Sequence, residues 1–232
     1  MPKTIPSWQK LQQSAERSLL SIDFQTAIEL YTQALSKPDV PWQAAASMLL
    51  RRADCLQKLG DTPAADRALS DLAEQAGQHG DQATRAAALA ELAFMLRNAG
   101  ELERGLLLAQ QALDAVHKAS DSDSDPDRLA GIKIDALTAL GMIHVERSEF
   151  SQAQECLQSA EALLKPGNVN GELRIIYLTS YLTIRTERYA ESIQAIERGL
   201  KIAKLAGRHD YEAICYNGLA NATDDLALQG AY

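Results

Sequence analysis

The side chains best equipped for chemistry in this chain stand apart from one another. Its four histidines, His79, His117, His144 and His209, and its three cysteines, Cys55, Cys156 and Cys215, lack the close His/Cys/carboxylate spacing of a metal centre. Cys55 reads as a small packing residue, and His144, on an apolar stripe, as a hydrogen-bonded core histidine. Asp121, Asp123 and Asp125 open like a calcium loop, but Pro126 and Ile132 stand where that loop needs a glycine and a bidentate acid. No phosphate-cradling glycine loop, zinc-protease helix or nucleophile elbow is present. The expectation is a segment without catalysis, metal or cofactor.

What the spacing does repeat is a structural unit. An apolar residue is followed four positions later by a small one in Leu11/Ala15, Leu49/Ala53, Leu89/Ala93, Leu137/Gly141 and Ile176/Ser180, and more loosely in Leu219/Thr223. These pairs recur 38, 40, 48, 39 and 43 residues apart. A period of this size marks an array of helical hairpins, each burying its apolar face only by stacking on its neighbours. In the first unit Leu11 and Ala15 make one stripe, and Ala27, Tyr31 and Ala34 make the matching stripe on the following helix. Asp23 caps that second helix and Pro38 stops it. No window alternates as a strand does.

Aligned on their turns, the units read Asp23-Phe24, Asp61-Thr62, Glu101-Leu102, Glu149-Phe150, Arg188-Tyr189 and Ala231-Tyr232, followed by small residues at Ala27, Ala65, Gly105, Ala153 and Ser192. This pattern resembles the tetratricopeptide repeat over nearly the whole chain, in the manner of bacterial arrays with long units. It departs from the family in lacking the first-helix tryptophan, in Leu72 for a late alanine and in Arg188 for a turn acid. The resemblance implies an all-α, right-handed superhelix of about five hairpins and a final unpaired helix. The units fall near residues 8–41, 42–80, 81–118, 128–165, 171–206 and 209–232, after a tail at 1–7. Residues 119–127, with acids at alternate positions, read as an acidic mobile loop.

In such an array one face of each first helix lines an inner groove. The groove positions carry Glu16, Asp54, Phe94, Met142, Tyr181 and Asp224 at one place, and Gln12, Leu50, Ala90, Thr138, Tyr177 and Ala220 at another. Arg174 and Asn217, and Arg51, Glu91 and Asn221, stand at two further places. Large apolar side chains in three consecutive units, flanked by acids, predict a groove for an apolar or aromatic anchor of a peptide or helix. Arg51, Arg174 and Arg185 are expected to meet its polar groups. The competing reading makes these residues core. Co-chaperones of this family hold a C-terminal carboxylate with Lys and Asn; Gln12, Glu16 and Arg51 stand there instead.

The formal charge of −8 argues against nucleic acid or anionic membrane as partners. An odd set of unpaired cysteines and no apolar leader or spanning stretch point to a cytoplasmic protein. The leading expectation is a protein- or peptide-binding scaffold. The alternative is the sensory segment of a larger bacterial signalling protein (a nucleotide or diguanylate cyclase, kinase or transcription regulator), as a chain ending on a turn signature suggests. The sixth helix could also dock on a second copy.

Overall fold

Eleven α-helices account for the ordered elements of the computed structural model, which describes residues 6–119 and 125–229, with the backbone alone for 224–229. They are α1 Ser7–Leu20, α2 Phe24–Leu35, α3 Trp42–Lys58, α4 Thr62–Gln78, α5 Gln82–Asn98, α6 Leu102–Ala119, α7 Pro126–Glu146, α8 Phe150–Glu161, α9 Val169–Arg185, α10 Tyr189–Leu205 and α11 His209–Gln229. No strand occurs among the described residues. Three residues of the expected loop at 119–127 belong to helices instead: Ala119 closes α6 as a buried residue, while Pro126 and Asp127 open α7. The intervening positions 120–124 lie outside the described residues, as do Ala231 and Tyr232 of the last turn signature. Likewise α1 begins at Ser7, the last residue assigned to the tail.

Each hairpin turn is closed the same way. The amides of Asp23, Asp61, Glu101, Glu149 and Arg188 donate to the carbonyls of Ser18, Leu56, Leu96, His144 and Thr183, five residues back, at 2.8–3.0 Å. This wrap satisfies carbonyls that the preceding helix leaves open. It needs a left-handed residue just before each of those amides: Ile22, Gly60, Gly100, Ser148 and Glu187, with φ between 60° and 80°. Asp23 and Asp61 then accept from Thr26 N and Ala64 N at 3.1 Å, capping the next helix.

Small residues sit where helices cross. Ala15, Ala53, Ala93, Gly141 and Ser180 are buried, and Ala27, Ala65, Ala153 and Ser192 have no exposed surface. A Cβ at Gly141 would stand 2.7 Å from Leu178 Cδ2 and 3.1 Å from Cys156 Cβ, so α7, α8 and α9 meet at that point. Thr223 is exposed because no further helix among the described residues covers it.

The odd-numbered helices also touch one another, α5 with α7 and α7 with α9 closely, α3 with α5 and α9 with α11 only lightly, whereas the even-numbered helices pack mainly on odd-numbered ones. Convergence on one side and divergence on the other make an α-α superhelix with the odd helices on its inner wall. All three cysteines are buried, and burial pushes the Cys55 and Cys156 thiols up to about 11. Arg51 and Lys58 on the same helix pull Cys55 the other way and do not overcome burial.

Two substitutions test this geometry in thermal or urea unfolding. Ile22, a β-branched residue held left-handed at φ 61° and 57% exposed, should gain about 1 kcal/mol on Ile22→Gly. Gly141→Val should lose about 2–3 kcal/mol through overpacking at the crossing.

Candidate inner-wall binding site

The inner wall is organised by two arginines rather than lined by free ones. Arg174 on α9 pairs with Glu91 on α5, and its Nε lies 3.1 Å from Asp135 Oδ1 on α7. Its guanidinium carbon stands 5.0 Å from the centroid of the Phe94 ring. Arg97, 5.3 Å from the centroid of the same ring, also faces Tyr181 at 5.3 Å and Tyr177 at 5.9 Å. Phe94, Tyr177 and Tyr181 are therefore neighbours, with ring centroids 6.2 and 6.5 Å apart, and they surround a cation that the chain itself supplies.

Glu146 at the end of α7 serves the second arginine cluster. It accepts from the Tyr181 hydroxyl at 2.6 Å and from Arg185 at 3.4 Å, and lies 3.7 Å from Arg97. Arg97 is 7% exposed. Here two guanidinium groups share one carboxylate, whereas around Arg174 two carboxylates share one guanidinium.

The sequence reading placed Met142 on this wall; the structure does not. Met142 has no exposed surface, and neither has Thr138, because α7 is covered by α5 on one side and α9 on the other. Arg174 and Arg185 are not spare cations but ion-paired ones. Arg51 is exposed, and Asp54 is held by Lys58 at 3.0 Å. Lys58 also reaches Asp210 of α11 at 3.7 Å, a contact from the second hairpin to the last helix across the inner side. His144 keeps a hydrogen bond, Nδ1 to Glu149 Oε2 at 2.6 Å, and is half-buried.

Where α9 and α11 draw apart, a cavity of about 620 Å³ opens. Its walls are apolar, with Leu173, Ile176 and Ile184 of α9, Ile196 of α10 and Ile214 of α11. Tyr177, Tyr181 and Tyr211 bring phenol groups to it, and Asn217 and Asn221, exposed and one turn apart, bring carboxamides. Gly218 also lines it; a Cβ there would stand 3.1 Å from Ile196 Cδ1. Tyr177, Tyr181, Asn217 and Asn221 are thus brought together in one place, while Arg51 and Asp54 stand apart on α3.

Solved structures with a similar fold are numerous. A Rap protein complexed with Competence and Sporulation Factor superposes with a TM-score of 0.60 at 14% identity, covering 97% of this chain and 67% of that one. BtubC from P. vanneervenii gives 0.55 at 14% identity, covering 88% and 93%. A tetratricopeptide repeat protein from Parabacteroides merdae gives 0.52 at 15% identity, covering 95% and 74%. The fold is a tetratricopeptide-repeat solenoid. No protein-family model matches the chain, and no curated protein does.

Within this tetratricopeptide solenoid, the residues that sequence reasoning passed over are Arg97, Asp135, Glu146 and Tyr211. Asp135 occupies the same place in its unit as Arg174 and Asn217, so the repeat register was a usable signal for it. Tyr211 had none, since it lies two turns ahead of the small-residue pair of its unit and joins the site only because α11 is long.

Asp135 is confined by its surroundings, and loss of water, partly offset by Arg174 and reinforced by Glu91, pushes its carboxyl up to about 6. A raised acid binds its proton more tightly folded than unfolded, so its contribution to stability is present in acid and is lost as pH rises through about 6. Asp135→Asn should therefore be more stable than the parent at pH 7, by roughly 1–2 kcal/mol, and the gap should close on acidification toward about pH 4 in paired urea melts.

Proposed function

We propose that this chain is a non-catalytic scaffold that binds a peptide or protein segment along its inner wall and anchors it in the α9–α11 cavity. The cavity carries the proposal. Its volume of about 620 Å³ lies within the range of ligand pockets. Its isoleucine and leucine walls suit a bulky apolar side chain, and the Asn217 and Asn221 carboxamides, each donor and acceptor, match the main-chain amides of an extended segment.

Several features support an interaction role over chemistry. The histidine with the closest carboxylate partner, His144, is bound to Glu149 at a helical turn and away from the cavity lining. Burial raises the thiol of Cys215, the cysteine that reaches the cavity, which makes it a poor nucleophile. Among solved structures of this fold, the Rap protein is complexed with Competence and Sporulation Factor. That precedent favours a bound partner for this chain as well.

Ile214 is 38% exposed on the cavity wall, so a larger side chain can fill the space without entering the core. Peptides selected from a random library on the whole chain should lose binding to Ile214→Trp by roughly tenfold or more, with the melting temperature unchanged. Equal binding by the parent and Ile214→Trp would reject the cavity as the anchor site.

A further inference from the structure

The charge layout beside the cavity specifies the ligand further. Glu91 and Asp135 approach from different helices and share Arg174, whose guanidinium is the one cation paired with either among the described residues. Arg174 donates from Nη2 to Glu91 and presents Nε to Asp135, and its guanidinium lies over the Phe94 ring. Each carboxylate uses one oxygen for Arg174, and the second accepts no hydrogen bond from a described residue. Both acids keep about a third of their side-chain surface open, at 31% and 30%, while Arg174 keeps 15%. The outward edge of the triad is therefore acidic.

Nearby cations do not fill this deficit. Arg208 is held by Asp210 at 2.9 Å and by Asn170, and Lys58 by Asp54 and Asp210. The triad is continuous with the cavity through two of its lining residues. Tyr177 packs on Phe94, the ring that Arg174 also faces, and Tyr211 lies within the electrostatic reach of Arg174, Arg208, Glu91 and Asp135. An excess carboxylate in a confined place is costly, and a bound cation removes that cost.

We propose that the ligand is a segment with a lysine or arginine next to its apolar anchor, the cation being received by the free oxygens of Glu91 and Asp135. This rests on the cavity being the anchor site. Apolar fit then gives retention, and the acidic edge gives selectivity between segments of similar hydrophobicity. Segments with an acidic residue at that place are rejected by like charge.

The test uses the whole chain and a random peptide library selected at about pH 7.5, well above the carboxyl range. Enriched peptides should carry Lys or Arg adjacent to Leu, Ile, Met or Phe. Replacing that basic residue by glutamine should weaken binding to the parent by roughly tenfold. On Glu91→Gln and Asp135→Asn the same replacement should change affinity by less than about threefold, which makes the loss a property of the pair. Affinity of the basic peptide for the parent should also fall between about pH 7 and pH 5, as Asp135 takes up its proton in the field of Glu91, Arg174, Arg208 and Tyr211. Asp135→Asn, which keeps an acceptor for Arg174, guards against misfolding, checked by its melting curve.

Peptides that need the cavity, by loss on Ile214→Trp, but show no basic preference would overturn this inference and leave the anchor site standing. An equal loss on parent and acid variants would overturn it too. Failure to enrich any peptide over the Ile214→Trp control would remove both.

Discussion

Close approach of helices at alanine, glycine and serine is the constraint on which everything else in this molecule depends. At Gly141 there is no room for even a methyl group between α7 and the side chains of Leu178 and Cys156. At Gly199 a Cβ would stand 2.9 Å from Ile176 Cγ2, and Ser192 is buried where it donates to the Ser180 carbonyl at 3.2 Å. Each contact fixes how one hairpin leans on the next. Because each unit packs mainly on its neighbours, small leanings add into curvature, and curvature creates an inner wall.

That curvature is uneven, and the unevenness makes the site. In the middle, α5, α7 and α9 lie so close that Ala90, Thr138 and Met142 are core. Only the residues at the rim of that packing, Phe94, Tyr177 and Tyr181, keep a face outward, and Arg97 and Arg174 lie on their rings. Toward the end, α11 packs on α10 far more than on α9, and the gap between α9 and α11 becomes the cavity. One tight seam and one open seam thus sit side by side, joined through Tyr177 and Tyr211.

The polar groups follow the same division. Where helices are tight, ionic groups are shared among three helices: Glu91, Asp135 and Arg174 in one cluster, Arg97, Glu146 and Arg185 in the other. Desolvation offsets much of the attraction within such partly buried sets, so they fix register more than they add stability. Their unequal charges give the wall an acidic end beside Tyr211 and a basic end beside Glu146.

How far the sequence reaches can be judged residue by residue. The repeat period, the turn acids and the small crossing residues are local properties, set by helix geometry and hydrogen bonding within a few turns, and they dictated the all-α array. Asp23 as a cap and Cys55 as buried packing were legible for that reason. Periodicity also named Tyr177, Tyr181, Asn217 and Asn221 as one inner stripe. It could not distinguish Met142 from Tyr181, which occupy the same register position, because burial there depends on the distance between successive first helices. Nor could it show that Arg174 and Arg97 are already engaged, since their partners come from helices dozens of residues away. Those distances are set by contacts between hairpins, which no single unit contains. The chain by itself therefore determined the repeating hairpin, and tertiary stacking alone decided which side chains became core, which became paired charges and where the wall opened.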